Sequence, residues 1–152
     1  KFGVVVYYMN IKKVRLFLGA IAFGFLGTAS ALADDDHEHT PMEKEMKTVS
    51  DSLKSLRKMD KSDYTAGAAA VRKAHEAMLR SMAYSPSLVK EMKDGDEKTI
   101  ALADSRRLMG LTYAVLCEME IAYIKKDDKL IADLAKKWKA LKKEGHKKYT
   151  DD

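Results

Sequence analysis

The stretch Thr40-Pro41-Met42-Glu43-Lys44-Glu45-Met46-Lys47-Thr48-Val49-Ser50-Asp51-Ser52-Leu53-Lys54-Ser55-Leu56 decides the fold class. Thr40 is a good helix N-cap. Pro41 suits the first helical position, where the amide hydrogen it lacks would have no partner. Glu43, three residues after Thr40, completes a capping box. Met42, Met46, Val49, Leu53 and Leu56 then recur at alternating steps of four and three, which puts them on one seam of a helix whose other faces are polar. The helix is predicted to end around Lys58–Asp60.

Working outward, the same pattern recurs three times. Ser62 or Asp63 caps a second helix with the stripe Tyr64, Ala68, Val71, Ala74 or His75, Met78 and Met82. That helix stops before Pro86, because the residue preceding a proline leaves the helical region. Residues 86–96 are the longest connection, and Leu88, Val89 and Met92 predict a short turn that packs down. A third helix runs from about Asp96 to Lys126, with Ile100, Ala101, Leu108, Leu111, Val115, Met119 and Ala122 predicted to face inward. The fourth follows Lys126-Asp127-Asp128, with Ile131, Leu134, Trp138, Leu141, Gly145 or His146, and Tyr149 as its stripe. Strand signals are missing from residue 34 onward: there is no β-branched run and no hairpin dipeptide between alternating segments. The expected fold is all-α, an antiparallel up-down-up-down four-helix bundle over residues 41–152.

Residues 1–33 read differently. Lys12, Lys13 and Arg15 precede an apolar run from Leu16 to Leu26, and Ala31-Leu32-Ala33 is an A-x-A cleavage site. This predicts a cleavable secretory signal peptide, with the natural start at Met9 and residues 1–8 an upstream extension. The apolar run is too short for a membrane span, and Asp34-Asp35-Asp36 follows it at once. The expected mature protein is periplasmic and has no stable membrane anchor. Residues 34–40 form an acidic start expected to be disordered.

Removing the leader changes the charge. The whole chain has 28 basic and 23 acidic residues and a net charge of +5; four of the basic residues and none of the acidic ones lie before residue 34, which leaves +1. That near-balance gives no basis for nucleic-acid binding, which needs a clustered basic face. Cys117 is the only cysteine, so neither an internal disulfide nor a C-x-x-C-H haem attachment is possible.

The bundle topology brings the start of the first helix and the end of the fourth to one pole. Met46 and His146 then fall at similar height across one end of the core. A thioether facing an imidazole across an apolar space is a known axial pair for haem iron. The segment Met46–Leu56 and the closing Gly145-His146-Lys147-Lys148-Tyr149 resemble the soluble cytochrome b562 family. The match is to its first-helix Met, the leucines in step after it, and its His-x-Lys-Tyr ending. The resemblance covers the whole mature chain in layout and only the two end helices in identifiable residues. It departs from the family in having no Phe after the leader and in having Gly145 before the histidine. It implies an exported four-helix bundle that binds one non-covalent b-type haem, with Met46 and His146 as axial ligands. Its function would be periplasmic electron transfer to and from redox partner proteins not identifiable from sequence, and it would not be an enzyme.

Met46 can also be read as core filler, with Met78 and Met82 as rival ligands, and His146 as a helix-end histidine favoured by the macrodipole. The alternative function is therefore a haem-free periplasmic bundle, acting as a binding or stress protein. A third reading is a small metal or copper binder using the Met residues and the acidic start with His37 and His39. His75, among charged neighbours, reads as an edge residue, and the seven lysines from Lys136 to Lys148 as a solvated face, with Lys142 a candidate for the haem propionates. No phosphate loop, Glu-x-x-His pair or nucleophile–base arrangement is present.

Overall fold

The computed structural model describes residues 39–150; the expected leader and residues 34–38 of the acidic start lie outside them. Among the described residues the regular structure is entirely helical: α1 Pro41–Ser55, α2 Tyr64–Ser81, a short α3 Ser87–Glu91, α4 Asp96–Ile124 and α5 Asp128–Tyr149.

The boundaries follow local chemistry. At α1 the capping box forms as expected: the Thr40 amide donates to Glu43 Oε2 at 2.7 Å and the Glu43 amide to Thr40 Oγ1 at 3.3 Å. Regular α-helix ends at Ser55, earlier than the sequence suggested, and residues 56–58 continue as a turn. Asp63 caps α2 through the Ala66 amide, and Asp127 caps α5 through the Leu130 amide, both at 2.9 Å. Between α4 and α5 the chain reverses in a Schellman motif: the Asp127 amide reaches the Ala122 carbonyl and the Lys126 amide that of Tyr123, both at 3.0 Å. Lys126 takes the left-handed position, φ 57°, that glycine usually fills.

Helix α2 packs against α1 and α4, and α4 packs against α5. Their apolar stripes meet in a core containing Val49 and Leu53 from α1, Val71, Ala74 and Met78 from α2, Leu116 and Met119 from α4, and Leu134 from α5. Val89 on α3 is buried, so the long connection packs down as expected. Cross-helix pairs fix the register. Arg80 Nε donates to Glu45 Oε1 at 3.0 Å, Ser81 Oγ lies 3.7 Å from Met109 Sδ, and Arg107 Nη2 lies 3.7 Å from Glu144 Oε1.

Two features depart from expectation. Ile100 and Leu111 were predicted to face inward, yet they are 67% and 44% exposed. Leu108, Val115, Met119 and Ala122 are buried as expected, and Ser105, Met109, Thr112 and Leu116 complete the core side of α4. Helix α4 is apolar on more than one face, so periodicity could not select the buried one. The second feature is the α1–α5 edge. No Cα of α1 comes within 8 Å of a Cα of α5, although each helix packs closely on its other chain neighbour. Leu134 is accordingly the only fully buried residue of α5.

Candidate functional site

The two residues singled out by the sequence lie near the start of α1 and the end of α5. Met46 sits in the second turn of α1, whose entry is fixed by the Thr40–Glu43 box. It is half-buried and packs against the core beside Met42. Its neighbour Glu45 pairs with Arg80, and Glu45 Oε2 is buried with no hydrogen-bond partner among the described residues.

His146 lies in the last turn of α5 and is half-buried. Its carbonyl accepts from the Thr150 amide at 3.0 Å and from Thr150 Oγ1 at 2.9 Å, which closes the helix end. The turn is fastened to α4 by an ionic hub. Asp104 accepts from Tyr149 Oη at 2.7 Å and from Lys148 Nζ at 2.9 Å, and Arg107 Nη2 lies 2.7 Å from its other oxygen. Burial alone would raise the Asp104 carboxyl, but these donors outweigh it and hold the group at about 2. Tyr149 is pushed the other way, above its ordinary value, by burial and by the charge it donates to. Asp104, Arg107 and Glu144 were not singled out from sequence. The i,i+3 pairing of Asp104 and Arg107 was the only available signal, and it carries no information about α5.

The register shows how Met46 and His146 relate. Glu45 is level with Arg80, Arg80 with the Met109–Gly110 step of α4, and that step with residues near Leu141. Counted through these three contacts, Met46 and His146 are offset along the helix direction by about six residues, roughly 9 Å at 1.5 Å per residue. The expectation of similar height holds only to within one or two turns. Gly145, next to His146, faces open space: a Cβ there would meet nothing within 4 Å. Tight helix packing is thus not the reason for this glycine.

The rival donors sit elsewhere. Met78 is buried, with Ser81 Oγ 3.6 Å from its sulfur, whereas Met82 is half-buried against the core. Lys142 is placed over the Trp138 ring, 6.0 Å from its centroid. His75 is an edge residue as expected, but with a partner that sequence did not reveal. Its Nε2 lies 2.6 Å from Glu120 Oε2, Arg72 Nε donates to the other oxygen at 2.7 Å, and Tyr113 packs edge-on against the ring. Burial raises the Glu120 carboxyl and the His75 and Arg72 bonds lower it, with a net lowering. His39 is exposed, 3.8 Å from Glu43, and His37 lies outside the described residues.

Two clefts, of about 310 and 280 Å³, open elsewhere, one between Tyr64 and Tyr123 and the other between α1 and α2 around Ser52 and Lys73. Among the described residues no group of three or more His, Cys, Asp or Glu could hold a metal ion, and no helix is long and apolar enough to cross a membrane. Comparison with family models, with curated proteins and with solved structures gives no match.

Proposed function

We propose that the chain is an exported, antiparallel up-down-up-down four-helix bundle that carries one non-covalent b-type haem, with Met46 and His146 as axial ligands, and acts as a periplasmic electron carrier and not as an enzyme. The observation that carries this reading is the α1–α5 edge. It is the one edge along the chain-order circuit whose backbones stay beyond 8 Å, and it is bordered at one pole by half-buried Met46 and His146.

The residues present suit such a group in three respects. The donor set is one neutral sulfur and one imidazole, a known axial pair. The open space at Gly145 leaves room for a flat ring against the α5 backbone. The axial offset is in the direction that helix geometry corrects. Each Cα–Cβ bond tilts toward its helix N-terminus. Helix α1 begins at this pole, so Met46 leans toward it; α5 ends there, so His146 leans away from it. The two side chains therefore close the gap from both ends.

When bound, the haem supplies a one-electron ferrous–ferric couple. The protein's part is positional. The Asp104 hub holds the last turn of α5, which carries His146, against α4. The capping box and the Arg80–Glu45 pair hold Met46. With haem held by Met46 and His146, both protein ligands would be filled, and the thioether would favour the reduced state relative to a second imidazole.

The test is spectroscopic. The chain is expressed in full with haem supplied, and spectra are recorded oxidised and reduced. Sharp low-spin bands on reduction are expected, lost in Met46→Ala and His146→Ala and kept in Met42→Ala, with helicity unchanged. The positions of the two clefts favour the alternative, a haem-free bundle of the same fold. Colourless protein that takes up no added haem would decide for it.

A further inference from the structure

Helix α5 carries eight lysines against three acidic residues, a net charge of +5, whereas residues 39–127 carry 16 basic and 14 acidic residues. The excess is gathered on one side. Lys129, Lys136, Lys139, Lys143 and Lys147 follow one another at steps of seven, three, four and four, which puts them on one line along the helix, opposite Leu134, Trp138 and Leu141 of its core side. All five are exposed, and so are the small residues Ala132 and Ala140 between them. The line spans 18 residues, about 27 Å at 1.5 Å per residue. Other helices pair their cations locally. Asp51 lies 3.6 Å from Lys47 and 3.5 Å from Lys54, Lys98 pairs with Asp94, and Arg107 pairs with Asp104. On the α5 line Lys136 has such a partner, Asp133 at 3.2 Å, but Lys129, Lys139, Lys143 and Lys147 have none among the described residues. The steps from Lys136 to Lys147 each bring like charges one turn apart, which weakens a helix.

We infer that this lysine line docks a row of carboxylates on a partner protein, the one that exchanges electrons with the haem. One electron passes from ferrous haem to the oxidised partner, or from the reduced partner to ferric haem. That exchange rests on the haem reading. Lys143 lies one turn before His146 and Lys147 directly follows it, so a partner seated on the end of the line is held within a turn of the proposed ligand. Three features favour a protein over other anions. The line has no aromatic side chain on which bases could stack, the usual means of holding a single strand. It has no bulky apolar side chain to enter a bilayer, since Leu134 and Trp138 face the core. Its length matches the width of a small protein–protein patch of about 800 Å² on each side, the size used in brief redox encounters. An electron carrier must meet and leave its partner quickly, and opposed charges speed the encounter without burying apolar area.

The test uses the full chain with and without haem, and the probe is a fluorescein-labelled oligoglutamate peptide. Anisotropy should show binding that weakens tenfold or more as salt rises from about 20 to about 200 mM. Lys139→Glu combined with Lys143→Glu should weaken it tenfold or more with helicity unchanged. Lys58→Glu combined with Lys61→Glu makes the same change in net charge at exposed positions off the line and should leave it nearly unchanged. In the haem-loaded chain the first double variant should slow oxidation by ferricyanide, an anion, and speed oxidation by tris(phenanthroline)cobalt(III), a cation, with the reduced spectrum unchanged. Peptide binding needs no haem, so the two readings fail separately. A chain that binds the peptide but takes up no haem refutes the electron exchange, whereas a haem-loaded chain that binds no peptide refutes the docking line. Equal effects of the two double variants, or tighter binding to phosphatidylglycerol vesicles or to duplex DNA than to the peptide, would also overturn the inference.

Discussion

Replacing glycine by alanine at three helical positions should give opposite signs, and the structure states which. Gly67 is in the first turn of α2, buried against α4. A Cβ there would overlap the Cδ1 and Cε1 atoms of the Tyr123 ring and sit 3.0 Å from its Cζ. The ring is half-buried between the helices, so it can yield only by moving outward or by parting α2 from α4. In isolation Gly→Ala in a helix contributes about 1 kcal/mol. Overpacking of this kind costs about 1–3 kcal/mol, and an overlap with two ring atoms belongs at the upper end. The net expectation for Gly67→Ala is a loss of about 1–2 kcal/mol, or roughly 5–15 °C in melting temperature for a domain of this size. At Gly110 and Gly145 nothing lies within 4 Å of the added methyl. There the helix term acts alone, and each substitution should stabilise the haem-free chain by about 1 kcal/mol. The assay is urea and thermal unfolding followed by circular dichroism. If Gly67→Ala melts at or above the parent, the α2–α4 packing described here is wrong. If Gly110→Ala or Gly145→Ala destabilises the chain, those sites are not open.

Asp104→Asn should loosen the last turn of α5 and cost about 1 kcal/mol at neutral pH, discounted because Lys148 and Arg107 are half-exposed. The same carboxylate gives a signed pH dependence. Its folded value, about 2, lies below the ordinary value of 3.8. Its contribution is therefore fully present above about pH 4 and is lost as pH falls from there toward 2. Urea midpoints measured between pH 6 and pH 2 should fall more steeply for the parent than for Asp104→Asn, and parallel curves would show that the hub contributes nothing. Leu134→Asp places an unpaired charge at the only fully buried position of α5. It should cost about 4 kcal/mol or more and detach that helix, giving loss of cooperative melting; a folded, cooperatively melting variant would mean that α5 is not held through Leu134.

Much of the helical layout was legible because each boundary is set by local chemistry. Thr40 with Glu43, Asp63, Pro86 and Asp127 act within three or four residues of themselves, and each ends or begins a helix close to where the sequence put it. The stripes of α1, α2 and α5 were legible because those helices carry a single apolar face. Even the weak burial of α5 agrees with its sequence, where seven lysines from Lys136 to Lys148 all lie on exposed positions. The sequence failed where choices are non-local. In α4 two apolar lines compete, and the line through Ile100 and Leu111 reads as well as the one through Met109 and Leu116. Only the positions of α2 and α5 decide between them. The Asp104–Tyr149 and His75–Glu120 bonds likewise join residues about 45 apart in the chain, brought together by a register that no single helix encodes.

The same distinction separates the proposed ligand pair from the outer line of α4. Met46 and His146 could be paired as candidates from sequence because the expected antiparallel circuit of four helices would return its last turn to its first, whatever the register. Their axial offset could not, because it accumulates over three interfaces. The outer line of α4 is the reverse case. Its spacing was present in the sequence all along, but it was indistinguishable from core until the core was known to lie on the other side.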